Sequence, residues 1–182
     1  MTRTILTYGT IAGLVLVALF YTTFLLTAHA GPYGALLGFT TMFAALSFVF
    51  VGAKRYRDNE LGGVIRFWPA LRLGLGIAMV ASVFYVVGWE VYMYMTDYTF
   101  MAQYTAIQED AMRADGASAQ AIAAMEREMA SFAESYASPL YRMAITLMEI
   151  SPVVIIVSLV SAALLRNPRF MPAVSARYTR SG

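Results

Sequence analysis

The chain reads as an all-α, polytopic membrane protein with four transmembrane helices and an extramembrane antiparallel helical hairpin between the third and fourth. Three observations predict this. Of 182 residues, 59% are hydrophobic and 13% charged, with a mean hydropathy of +0.62, whereas a soluble domain is about 45–50% apolar and about 25% charged. Four stretches are apolar over the roughly 20 helical residues that a hydrocarbon core of ~30 Å requires. Finally, ten of the 13 lysines and arginines fall on one side of those stretches, the asymmetry that orients membrane helices. A soluble body this small could not bury so much apolar surface.

The first span runs over about 4–27, with Leu14–Phe20 as its bulk. Ala28-His29-Ala30 after it has the small-residue pattern of a signal-peptidase site. The apolar core is longer than the usual ~7–15 residue signal stretch, so the helix is expected to stay attached. The turn residues Gly31-Pro32-Tyr33-Gly34 separate it from a second span over about 35–52. A third, over about 70–95, opens at Phe67-Trp68-Pro69, since proline suits a first helical turn. A fourth, over about 140–165, opens at Ser138-Pro139, an N-cap followed by proline. Arg3, the cluster from Lys54 to Arg72, and Arg166, Arg169, Arg177 and Arg180 share one side, whereas the segment 97–138 carries seven acids. Both termini are therefore expected in the cytoplasm and the 97–138 hairpin outside. Residues 167–182, with two prolines and three arginines, read as a basic disordered tail.

Within 97–138, Met93, Phe100 and Ile107 repeat every seven residues, as do Asp97, Tyr104 and Ala111. That predicts a helical stripe continuous with the third span. Asp115-Gly116-Ala117 breaks it and Ser118 can cap a second helix with Ile122, Met125, Met129, Phe132 and Tyr136 along one side. Glu109, Asp110, Glu126, Glu128 and Glu134 form an acidic outward face. If the third span runs unbroken into a hairpin centred near Gly116, Glu90 and Arg142 lie at equal height.

Ionisable groups inside spans cost several kcal/mol unless paired or hydrated, so they mark a candidate intramembrane polar site. Glu90 shares the row of Asp97 and Tyr104 and is expected to pair with Arg142. Glu149 lies mid-span in Met148-Glu149-Ile150-Ser151-Pro152, where Pro152 withholds a donor from the Met148 carbonyl. Glu149, Ser151 and Tyr85 are expected to form a polar pocket, serving as a proton relay, as a substrate carboxyl, or as a neutral brace for a kinked helix. Tyr21, Thr40 and Thr41 lie at similar depth. On the cytoplasmic side, Lys54, Arg55, Arg57 and Asp58 precede Gly62-Gly63. They anchor the chain to anionic lipid, or form a headgroup or partner loop in which Asp58 orients an arginine and the diglycine admits close backbone approach.

The composition excludes several chemistries. Without cysteine there are no disulfides, thiolate nucleophiles or Cys-based metal sites. With His29 the only histidine, no catalytic, metal or cofactor constellation emerges. A nucleic-acid role is not expected, because the basic cluster sits at the bilayer.

The ordered set Lys54-Arg55-Tyr56-Arg57-Asp58-Asn59, Gly62-Gly63, Gly88-Trp89-Glu90-Val91-Tyr92, Asp115-Gly116-Ala117-Ser118 and Met148-Glu149-Ile150-Ser151-Pro152 resembles the DUF4199 family of bacterial membrane proteins. The likeness extends from about Thr4 to Arg166. It implies a four-helix bacterial inner-membrane protein and adds no activity, cofactor or catalytic residue. The expected role is a non-enzymatic accessory or assembly subunit acting through interactions with lipid and with a membrane-protein partner or a second copy. The alternative is a small transporter or proton-coupled carrier using Glu149 and Glu90, as an oligomer.

Overall fold

The computed structural model describes residues 1–26 and 34–173. Six helices follow in order: α1 (Thr2–Leu26), α2 (Gly34–Glu60), α3 (Phe67–Met95), α4 (Phe100–Ala114), α5 (Ala119–Tyr136) and α6 (Pro139–Leu165). There is no strand among the described residues. Four segments, Thr2–Thr23, Leu36–Glu60, Phe67–Met95 and Pro139–Leu165, are long and apolar enough to cross a membrane. The signal-peptidase pattern at Ala28–Ala30 and the turn containing His29 lie outside the described residues.

Apolar side chains such as Leu14, Met79, Val83, Val87, Ile155 and Val160 point outward from these helices. Water-soluble proteins rarely expose contiguous apolar surface on this scale. Hydrocarbon accepts it, and the chain is a membrane-embedded one.

Two compact units form. The first comprises Met1–Tyr85 and Ile150–Gly182. Its core is made by short side chains at helical spacing: Ala12 and Leu16 of α1, Ala45, Leu46, Val49 and Ala53 of α2, Leu73, Ile77 and Ala81 of α3, and Val153, Ala162 and Leu165 of α6. In lipid no hydrophobic force drives helices together, so close backbone approach through small residues must do it. Gly9 and Gly13, four apart on α1, provide that approach. A Cβ at Gly9 would stand 2.5 Å from Cβ of Val80, and one at Gly13 would stand 2.6 Å from Cγ of Phe84. The sequence reading overlooked this pair.

Helix α2 continues past Gly52 to Glu60, so Lys54 to Asp58 are helical and not part of a loop. The i,i+4 ion pair Lys54–Asp58 supports the added turns, and the basic groups complement the negative end of the helix dipole. The chain then turns through Gly62 (φ 63°) and Gly63 (φ 90°), backbone conformations that a side chain would strain.

The second unit is Val86–Glu149. Here the sequence expectation of one continuous helix from α3 into α4 is corrected. Helix α3 stops at Met95, where the Tyr98 amide donates to the Met93 carbonyl (2.8 Å) and the Asp97 amide to the Tyr94 carbonyl (3.3 Å). This is the hydrogen-bond signature of a Schellman stop, with Asp97 (φ 49°) and Tyr98 (φ 56°) left-handed. The break turns α4 out of register with α3. Met101, not Phe100, is buried on α4, and Tyr104 and Ile107 are exposed. The stripe predicted on α5 is present: Ile122, Met125, Met129 and Phe132 are half-buried and Tyr136 is buried. Ser118 caps α5, accepting from the Ala121 amide (3.2 Å), and α4 and α5 pack against each other.

Candidate functional site

Among the described residues of this apolar protein two arginines are fully buried, Arg57 at 0% and Arg142 at 1% exposure. A guanidinium carries five donors and a permanent charge, so what surrounds each shows what it does.

Arg142 lies in the first turns of α6, in the second unit. Its Nε donates to Glu90 Oε1 (2.8 Å) and its Nη2 to Glu90 Oε2 (2.5 Å). This is the two-pronged pairing that makes arginine–carboxylate contacts strong. Its Nη1 donates to the backbone carbonyls of Tyr136 (3.0 Å) and Ala137 (3.5 Å), oxygens left over at the end of α5. The rings of Tyr98 and Tyr136 lie 5.3 and 5.9 Å from its central carbon, within cation–π range. One side chain thus ties α3 to the end of α5 and the start of α6. The predicted Glu90–Arg142 partnership is present although the continuous helix used to derive it is absent; arginine is long enough to absorb the change.

Trp89 completes this cluster. Its indole N–H donates to the Tyr136 hydroxyl (2.7 Å), and its ring meets Phe100 edge-on at 4.8 Å. Burial pushes the Tyr136 phenol above its ordinary pKa, while the Trp89 donor and the Arg142 charge pull the other way. From sequence, Tyr136 is only a member of the α5 stripe and Trp89 only part of the Gly88–Tyr92 set. The signal for more was available, since a buried indole or phenol needs a hydrogen-bond partner.

Glu149, expected in a polar pocket with Ser151 and Tyr85, is exposed, and so are Ser151 and Pro152. The buried side of α6 passes through Arg142, Thr146, Ile150, Val154 and Ser158, in steps of four. A seven-residue step drifts about 20° on a straight helix, so Glu149 falls just beyond the edge that Arg142 already occupies. Tyr85 is buried in the core of the first unit, its ring edge-on to Phe20 at 6.1 Å.

The other arginine, Arg57, belongs to the first unit. Asp58 accepts from Arg57 Nε (2.7 Å) and from Lys54 Nζ (2.5 Å), so a single carboxylate serves two cations. The fork of Arg57 is filled by the chain itself: Nη1 donates to the Phe170 carbonyl (2.9 Å) and Nη2 to the Met171 carbonyl (2.6 Å). Residues 167–173, expected to be part of a disordered tail, therefore fold back as a strap. Phe170 meets Phe50 edge-on at 6.2 Å, Ala173 is buried, and Ala173 Cβ lies 3.3 Å from where a Cβ on Gly63 would be. The remainder of the predicted tail, 174–182, lies outside the described residues. Of the four loop residues singled out from sequence, Lys54, Arg57 and Asp58 come together, and Arg55 stays apart and exposed.

Neither the curated proteins nor the solved structures include a match to the chain. A family model does match, that of the protein of unknown function DUF4199, over residues 7–167, and the chain belongs to that family.

Proposed function

We propose that the protein is a non-enzymatic interaction subunit of the bacterial inner membrane, with α4 and α5 as an antiparallel hairpin that docks a partner outside the cell. In this reading both termini and the 61–66 turn are cytoplasmic, and the exposed basic residues Arg55, Arg66, Arg72, Arg166 and Arg169 hold the inner face to anionic lipid. The observation that carries it is the Arg142 cluster. Its strongest polar contacts are spent on fixing the ends of three helices, which is how a protein mounts a projecting element rigidly. What α4 and α5 then present is an acidic surface with Tyr104 and Ile107 exposed on it.

The absence of cysteine makes the test direct. A photo-crosslinker on Ile107→Cys in native membranes should give one defined heavier adduct, and a membrane-impermeant thiol reagent should reach Asp110→Cys from the external side. A chain that yields no adduct from position 104, 107 or 110, or is labelled only from the cytosol, does not have this role.

One observation favours the second reading, a proton-coupled carrier. Glu149 is exposed on α6, ten residues from its start at Pro139, which at 1.5 Å per residue is ~15 Å into the span. Carboxyls at that depth are uncommon and mark ion or proton pathways, and one on an exposed side of α6 suits a path shared with a neighbouring copy. Loss of proton flux in liposomes on Glu149→Gln, with folding intact, supports a carrier; unchanged flux removes it.

A further inference from the structure

We infer that Arg57 is an oxyanion site, built to take a phosphate group at the membrane surface and masked by the chain's own C-terminal strap. The site belongs to the first unit and does not rest on the docking reading.

The charge balance points to it first. Arg57 and Lys54 are two cations facing one carboxylate, Asp58, and Arg57 has no exposed surface. A buried cation is stable only when its charge is met, and two of the three groups that accept from this one are neutral backbone carbonyls. The geometry points the same way. Two oxygens at 2.9 and 2.6 Å from the two terminal nitrogens occupy the positions that two oxygens of a phosphate take in a two-pronged contact. Phe170 and Met171 thus stand in for an anion, supplying the oxygens without the charge. A phosphate would supply both.

Position and strain complete the argument. Arg57 lies near the end of the apolar segment Leu36–Glu60, the level at which headgroup phosphates sit. The strap that covers it carries Met171 in a left-handed conformation (φ 47°), which a residue with a side chain adopts reluctantly. A contact held against strain is one that a better ligand can displace. The strap therefore acts as an internal competitor: while it is seated, the fraction of chains open to phosphate is small, and apparent affinity is lowered by that fraction.

The test compares the full chain with two strap variants, Phe170→Ala, which removes the ring packed on Phe50, and a chain ending at Arg169. Each is reconstituted with phosphatidylglycerol or phosphatidylcholine, and retained lipid is counted by native mass spectrometry. Both strap variants should bind phosphatidylglycerol about tenfold more tightly than the full chain, with a clearly smaller gain for phosphatidylcholine, whose choline already offsets the phosphate charge. Adding Arg57→Gln should remove the gain. Arg57→Lys, which keeps the charge and loses the fork, should restore it only in part. Inorganic phosphate identifies the source of the group. Phosphate that raises the unfolding temperature of the Phe170→Ala chain with no phosphatidylglycerol retained assigns a soluble phosphate, and lipid retention indifferent to phosphate assigns a headgroup. A gain that survives Arg57→Gln, an equal gain for phosphatidylcholine, or no gain from either strap variant with no stabilisation by phosphate overturns the inference.

Discussion

Removing Arg142 should be the most damaging single change in the second unit, and the damage should largely vanish when Glu90 goes with it. Arg142→Met keeps the aliphatic stem and deletes the charge and its donors. It leaves the Glu90 carboxylate, 19% exposed, without its cation, and frees the Tyr136 and Ala137 carbonyls. Breaking a buried pair by removing one partner costs about 3–5 kcal/mol; the partial exposure of Glu90 places this case near 3 kcal/mol. At 1.4 kcal/mol per decade, that is about a hundredfold in the folding equilibrium. Glu90→Met should cost a similar amount, because Arg142 would keep its carbonyls but not its counter-charge. The double variant has no stranded charge. Its loss is that of hydrogen bonds to two carbonyls, each worth about 0.5–1.5 kcal/mol, partly recovered by two apolar side chains. With the double variant costing about 1–2 kcal/mol, the expected coupling is about 4–5 kcal/mol, above the usual 0.5–3 kcal/mol for contacting residues. SDS-driven unfolding in mixed micelles reads it out, followed by Trp89 emission in a Trp68→Phe background, since Trp68 and Trp89 are the only tryptophans. Single-variant costs that add to within ~0.5 kcal/mol, the behaviour of independent sites, or an Arg142→Met chain as stable as its parent, would refute the clamp.

Gly13→Val should cost about 1–3 kcal/mol by overpacking against Phe84, whereas Gly38→Ala, with nothing within 4 Å of the new Cβ, should be neutral or mildly stabilising; thermal unfolding in detergent separates them. Asp58→Asn should destabilise more than Lys54→Met, because it strands both Lys54 and the buried Arg57; it should also speed proteolysis within 167–173, and equal costs for the two changes would count against the shared carboxylate. The Tyr136 phenol has a raised pKa in the folded chain, so its contribution to stability is complete below the ordinary tyrosine value of about 10 and is lost as pH rises through the raised one. Wild type should therefore lose more stability than Tyr136→Phe as pH rises above about 10, and parallel losses would show that the phenol is not responsible.

The spans were legible because hydrocarbon imposes a length and a composition at once, and no tertiary detail is needed to see either. The α5 stripe was legible for a related reason: Ile122, Met125, Met129, Phe132 and Tyr136 lie within one helix, where periodicity holds. Across Thr96–Thr99 the same reasoning failed. Asp97 and Tyr98 are left-handed in a stop that usually takes glycine, so nothing in the residue types announced the break, and the phase of α4 was lost there. The exposure of Glu149 escaped notice through accumulated helical drift, and the strap because Arg57 and Phe170 are 113 residues apart and the contact uses backbone oxygens, which carry no sequence signal. Its basic, proline-containing composition describes an arm without a core of its own, and the core it uses belongs to α2.

The Arg142 cluster raises the question of why an apolar protein keeps a charge where two well-packed hydrophobic side chains would serve stability as well or better. Packing between apolar helices is permissive in lipid, since one greasy face fits another at several rotations and the solvent favours none of them. A guanidinium is not permissive. Arg142 needs the Glu90 carboxylate in the plane of its fork and the last carbonyls of α5 on its remaining edge, and few registers offer both. A neighbouring register would strand a charge, at a cost that exceeds any gain in packing. The pair thus contributes discrimination between arrangements more than net stability. The double variant that removes it should accordingly stay folded while Trp89 and Tyr136 lose their fixed geometry. A broadened Trp89 emission band in Glu90→Met/Arg142→Met at near-native stability would show this directly. A band as sharp as the parent's would mean that apolar packing alone sets the register.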